Sequence, residues 1–334
     1  MIHYEDDQPS GVIRTVLGDR RSIPDGVFYA HEHLIIDSPL VEAAFPHIYL
    51  SDVAAAVHEA SLCRETGVRI VVDAMPCSSG RDATKLAQIS EQSGVDIISV
   101  TGLHHDRYYG QRHWTNRVST AELARLFVAD LTEGIDLFDY TGPIVKRTEH
   151  RAGALKIATS GGGLDERDKR NLAAVASASR ATGAPVLTHC EAGLGALEQV
   201  AFLTDAGLAA SSIVLSHVDK SMDLDYLRRI LASGAILEFD QALRQFELGA
   251  DGWSLTAMVS LIQDGFWRQL VVGTDGARRS LWSALGGSPG LAWLAANLPT
   301  LLADRGISQE QVRAVTHDNA VRAFSWSAPA GPLP

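Results

Sequence analysis

The chain has 334 residues, 46% of them apolar and 21% charged, a globular composition that excludes a disordered or fibrous protein. Acidic residues outnumber basic ones by 40 to 29, for a formal charge of -11, which argues against nucleic acid or an anionic membrane as the main partner. Three scattered cysteines (Cys63, Cys77, Cys190), no apolar run as long as a membrane span and an acidic start, MIHYEDDQPS, without a signal-peptide pattern lead us to expect a cytoplasmic protein without disulfides.

After a lead over residues 1–26, short apolar, β-branched runs alternate with longer helical patterns. Strands are predicted at Val27–His33, Arg69–Asp73, Val95–Thr101, Ala154–Ala158, Pro185–His189, Ser212–His217, Ala235–Glu238 and Leu270–Thr274. Most are continuous apolar runs, which suits a parallel sheet covered on both faces. Helical patterns lie between them, as at Asp52–Thr66 and Asp165–Thr182. Ser119 with Glu122 and Ser308 with Gln311 are capping boxes, the second opening a terminal helix over 306–326. Gly67, Gly183, Gly207 and Gly234 stand where helices should end. Eight strand–helix units with no Pro/Gly/Ser linker predict one α/β domain over 1–334, a TIM (β/α)8 barrel at 27–305. An open doubly wound sheet is the alternative. The long irregular stretches, Leu103–Arg117, Thr141–Arg151 and Asp275–Gly290, are where such a barrel would keep its specificity.

Twelve histidines are many for this length, and their placement carries the functional reading. His31-Glu32-His33 ends the first strand, and residues two apart on a strand share a face, so both imidazoles can meet one metal. His189 closes strand five (PVLTH), His217 strand six (IVLSH) and Asp275 strand eight (LVVGTD), while Lys156 lies near the end of strand four (AGALKIATS). Six polar groups at the ends of apolar strands converge on one mouth. Burying them unpartnered would be costly, and a pair of divalent metals resolves that cost. The structural reading, a hydrogen-bonded polar plug, needs no metal. Glu32 points the other way and reads as structural, as do Cys190, His58 and His317.

HEHL after strand one, the strand-four Lys156, single histidines at strands five and six, the strand-eight Asp275, Gly80-Arg81-Asp82 after strand two and the closing THDNAVRAF resemble the phosphotriesterase-like family of the amidohydrolase superfamily. The resemblance implies a binuclear hydrolase. His31, His33 and Asp275 would hold the more buried metal and His189 and His217 the more exposed one. Lys156, carboxylated by CO2, would bridge them. Zinc is the expected metal, with manganese or cobalt also accepted by these ligands. Asp275 would be catalytic, taking up the proton of the attacking water. Many family members are homodimers.

Substrate choice must come from the loops. Arg244 in loop seven and Arg278 and Arg279 in loop eight suggest an anionic group on the substrate. Loop three, LHHDRYYGQRHW, offers His104, His105, Tyr108, Tyr109 and Trp114 as walls and donors, His104 and Tyr108 foremost. Gly161–Gly163 lacks phosphate-loop spacing and reads as a tight turn. Acyl-lactone hydrolases of the family often carry Tyr where His104 stands, whereas GARRS in loop eight resembles members acting on phosphorylated furanose lactones, with Leu281 in place of their usual Tyr. The expected activity is hydrolysis of a polar sugar-acid lactone, phosphorylated or not. A phosphotriesterase or carboxylic-ester hydrolase is the alternative. A mononuclear deaminase using Glu191, or a non-enzymatic binder, stands further off.

Overall fold

A computed structural model describes residues 11–331 and 333; the start MIHYEDDQPS lies outside the described residues. Eight parallel strands follow one another around a barrel in chain order. After a small antiparallel hairpin, β1 (Ile13–Thr15) and β2 (Gly18–Arg20), the barrel strands are β3 (Val27–Glu32), β4 (Val68–Asp73), β5 (Asp96–Leu103), β6 (Ala154–Thr159), β7 (Val186–Cys190), β8 (Ile213–Ser216), β9 (Ile236–Phe239) and β10 (Leu270–Val272). Each apolar run predicted as a strand is one, with ends moved by one or two residues. β-Branched residues with few polar breaks give strands that are buried on both faces.

The seam between β10 and β3 is closed just beyond the end of β10. The N–H groups of Thr274 and Asp275 both donate to the His31 carbonyl, each at 3.1 Å. Gly273 is needed there, since a Cβ would stand 2.5 Å from a Glu238 carboxylate oxygen and 2.8 Å from the His31 carbonyl.

Side chains alternate across each strand. Phe28, Ala30, Ile70, Val72, Ile98, Val100, Leu187, Val214, Ile236 and Val271 fill the barrel interior, while their neighbours pack under the helices. The base is plugged from both sides of the chain. Ile13 of the hairpin and Ala320, Ala323 and Phe324 of the helix Asn319–Phe324 join the interior cluster, and Phe324 stacks on Phe28 with ring centroids 5.4 Å apart. The described part of the lead, from residue 11 on, is therefore part of the barrel floor: Val16 N–H donates to Ile97, and Trp326 N–H donates to Val12.

The helices begin as their sequences dictate. Asp52 caps Val53–Glu65, and the two capping boxes form at Ser119/Glu122 and Ser308/Gln311. Gly183 ends the helix Glu166–Thr182 at φ +81°, a conformation in which any Cβ is strained. No helix among the described residues is long and apolar enough to cross a membrane.

Candidate active site

Three of the six converging groups reach the mouth by simple alternation. Lys156 follows Ala154 inward, His189 follows Leu187, and Asp275 follows Val271 and Gly273. The histidines of β3 do not share that phase, because Phe28 and Ala30 already face inward. A register irregularity against β4 between Tyr29 and Glu32 re-aims the strand end, as β-bulges do, and His31 and His33 turn to the mouth. His217 adopts φ +66° directly after β8, and Asp275 adopts φ +44° after β10. Both are uncommon for residues with a side chain, and such strain gathers at functional sites.

His31 Nε2 lies 3.3 Å from His33 Nε2, and Asp275 Oδ1 lies 3.8 Å from the first and 3.5 Å from the second. One ligand atom from each of these three residues falls within 4.8 Å of the others, and the same holds for His31, His217 and Asp240. His189 and His217 meet edge-on, ring centroids 4.4 Å apart. Burial drives His31 and His217 well below the ordinary imidazole range, and pushes His189 down to about 4. These rings are neutral near pH 7, with lone pairs free to bind a cation. Burial works to raise the Asp275 carboxyl, yet Arg244 and the surrounding histidines outweigh it and hold it well below the usual range.

Lys156 is fully buried, and its Nζ has no hydrogen-bond partner. Burial pushes its ammonium down to about 8, against the pull of Glu238, Asp275 and Asp240. His33 Nδ1 is likewise buried without a partner. A crowd of neutral imidazoles, an ionised carboxylate and an orphaned amine is a poor self-contained polar network. It is a good donor set for divalent cations.

Carboxylates stand against the ring nitrogens of this donor set. Glu238 Oε2 lies 3.2 Å from His31 Nδ1, Asp240 Oδ2 lies 2.7 Å from His217 Nδ1, and Glu191 Oε2 lies 2.8 Å from His189 Nε2. Glu32 turns away and braces the seam, accepting from the Thr274 hydroxyl and from Thr274 and Gly276 N–H groups. Glu238 and Asp240 went unflagged in the sequence reading. The signal was there: both share the inward phase of Ile236 in ILEFD.

Above this cluster opens a cleft of about 500 Å3 lined by Phe45, Met75, His104, Tyr108, His189, Glu191, Arg107, Lys220, Arg244 and Arg278, among others. Of the residues expected to meet substrate, His104, Tyr108, Arg244 and Arg278 line it. Arg279 does not: the tight turn Arg279–Leu281 points it outward, and it donates to the Tyr49 carbonyl at 2.9 Å. Trp114 and Tyr109 are not walls of the cleft either. Trp114 packs on His113 and Tyr140. Tyr109 is buried, its hydroxyl donating to the Cys77 carbonyl and accepting from His104 N–H. His105 likewise does not line it. Arg107 and Lys220, which the sequence reading passed over, are brought to the rim by the turns after β5 and β8.

The chain matches the model of the phosphotriesterase family over residues 11–324. It belongs to the phosphotriesterase family. As a family member it is a hydrolase. It is 32% identical over 232 residues to a phospho-furanose lactonase of Mycoplasmopsis agalactiae, an alignment covering 68% of this chain and 66% of that relative. It is 29% identical over 324 residues to a phospho-furanose lactonase of Mycoplasmopsis synoviae, covering 94% and 91%. Among solved structures, an amidohydrolase from Mycoplasma synoviae superposes with a TM-score of 0.90 at 27% identity, covering 97% of this chain and 94% of that one. The phosphotriesterase fold thus extends over the whole barrel, the hairpin and the terminal helices described above.

Proposed function

We propose that this phosphotriesterase-family hydrolase is a binuclear metal-dependent lactonase acting on a polar sugar-acid lactone that carries an anionic group, a phosphate foremost. The observation that carries this reading is the cationic rim. Arg107, Lys220, Arg244 and Arg278 surround a cleft that opens over the buried histidines of an otherwise acidic protein, and guanidinium groups suit phosphate and carboxylate. The two relatives named as phospho-furanose lactonases support the same chemistry.

His31, His33 and Asp275 would hold one divalent ion, and His189 and His217 the other. Lys156 would bridge them as its CO2 adduct, the neutral amine favoured by burial being the form that reacts with CO2. Zinc suits this imidazole and carboxylate set, which manganese and cobalt also accept. Bound there, the ions supply Lewis acidity and lower the pKa of water. The chain's own residues do the rest. Arg244 keeps Asp275 ionised and therefore able to accept a proton. His104 Nδ1 accepts the His105 N–H at 2.7 Å, and burial keeps the ring neutral, so its proton sits on Nε2 as a donor. Arg278 and Lys220 bind the anionic group, and Tyr108 and Phe45 form an apolar wall.

Glu191, the acid of the deaminase reading, is a hydrogen-bond partner of His189 and Arg107. Those contacts outweigh its burial, hold its carboxyl at about 2 and tie it to both neighbours rather than leaving it free in the cleft. A homodimer belongs to the proposal as well, supported by the exposed Phe138, Ile144 and Val145. Proton release from metal-loaded protein on a furanose aldonolactone and on its phosphorylated counterpart tests the activity, with Asp275→Asn as control. Turnover of the phosphorylated compound that the variant lacks is expected. Two bound metals with no turnover of either lactone would sink the lactonase reading.

A further inference from the structure

A second cleft, of about 600 Å3, lies on the outer side of loop three and is lined by Asp106, Arg107, Gln111, Asn116, Arg167 and Arg170, with Gly110. Arg107 also lines the first cleft, so this one side chain is the partition between the two. We propose that the outer cleft is a second anion-binding site, one that takes the phosphate group of a small molecule.

Arg167 and Arg170 stand one helical turn apart at the start of the helix Glu166–Thr182, so both project to the same side. Main-chain carbonyls pin them: Arg167 Nη2 donates to His104 O at 3.1 Å, and Arg170 Nη2 donates to Thr115 O at 2.9 Å. Asn171 Oδ1 takes two more bonds from Arg170, at 3.0 and 3.1 Å. The carboxylates at hand are Asp106, paired with Arg167, Asp168, within the field of Arg167 but bonded by Ser160, and Glu191, paired with Arg107 at 2.6 Å on the other side of the partition. Among the described residues no carboxylate is ion-paired with Arg170; burial and the positive field of Arg167 work against its charge, and the nearby Asp106 only partly offsets them. Carbonyl-held guanidinium groups lose little freedom on meeting an oxyanion, and their fork of donors matches phosphate. The amides of Gln111 and Asn116 add neutral donors at the rim. Asp106 belongs to the same loop as His104 and Tyr108, so an anion seated here would brace the loop that walls the first cleft.

Inorganic phosphate titrated into the metal-loaded protein by calorimetry tests this, with Arg167→Gln/Arg170→Gln as the outer variant and Arg278→Gln as the inner one. The wild type is expected to show a binding component that Arg278→Gln retains and the outer variant weakens about tenfold or more. Should the double variant fail to fold by circular dichroism, Arg170→Gln alone and Arg170→Lys decide, the lysine restoring part of the affinity. Phosphate binding that is indifferent to Arg167 and Arg170, or no binding outside the Arg278 site, overturns the proposal. Lactone turnover is measured apart from this titration, so either idea can fail without the other.

Discussion

Arg244 grips Asp275 by both its side chain and its backbone: Nη2 donates to the carboxylate at 2.9 Å and to the main-chain carbonyl at 2.6 Å. The same guanidinium reaches the Thr274 carbonyl at 3.1 Å. One side chain thus fixes both the position and the charge of a residue held in the left-handed region.

Arg244→Met should therefore raise the Asp275 pKa, because the cation that opposes the burial penalty is gone. On acidification the ionised form would then be lost at a higher pH. In a pH–rate profile, the acid limb of kcat/KM is expected to move upward, with the alkaline side less affected. An acid limb unchanged from wild type would show that Arg244 serves substrate alone.

If the proposed binuclear site holds, Lys156→Met should lower bound metal from about two equivalents to about one or fewer, since the bridging ligand would be lost while all histidines stay. Elemental analysis after dialysis reads this directly. Retention of two metals would place the bridge elsewhere.

Glu59 is fully buried in the helix Val53–Glu65, and its two oxygens accept the N–H groups of Ala284 and Leu291 at 2.8 and 2.7 Å. It fastens the far end of loop eight. Glu59→Ala leaves both donors unpaired and should cost about 3 kcal/mol of stability. Hydrogen exchange should also rise at Ala284 and Leu291. A variant within error of wild type in urea would refute the fastening role.

Much of the barrel was legible because its strands are nearly continuous apolar runs, and the polar residue closing each run stands out. Lys156, His189 and Asp275 follow from alternation alone. The rest needed backbone that no periodicity encodes. The irregularity that re-aims His31 and His33, and the left-handed turn at His217, are three-dimensional facts about strand pairing and strain. The loops were least legible. Arg278 and Arg279 are neighbours of identical chemistry, and a tight turn sends one to the cleft and the other to the Tyr49 carbonyl. We therefore expect Arg278→Gln to raise KM for an anionic lactone about tenfold, and Arg279→Gln to leave it unchanged. Equal effects would contradict the turn geometry.

Stability should depend on pH through Asp139. Burial pushes its carboxyl up to about 7 in spite of Arg81, which bonds its Oδ1 at 2.9 and 3.1 Å. The folded state then holds a proton that the unfolded state releases near the ordinary value of 3.8. Stability contributed by that proton is present below about pH 4 and lost as pH rises through about 7. Asp139→Asn should remove this slope between pH 4 and 7 in urea titrations, and a slope identical to wild type would exclude Asp139 as its source.

The hydrogen bonds from Thr274 and Asp275 to the His31 carbonyl have a consequence for synthesis. The first imidazoles of the site leave the ribosome early, but Thr274 follows Glu32 by 242 residues. Until that late segment arrives, β3 is an open sheet edge, His31 and His33 lack Asp275, and Phe28 lacks the cover of Phe324. Under the proposed function, completion of the metal-binding set by Asp275 would coincide with ring closure, and a nascent chain arrested before β10 would be an open sheet of seven barrel strands with two unpaired edges.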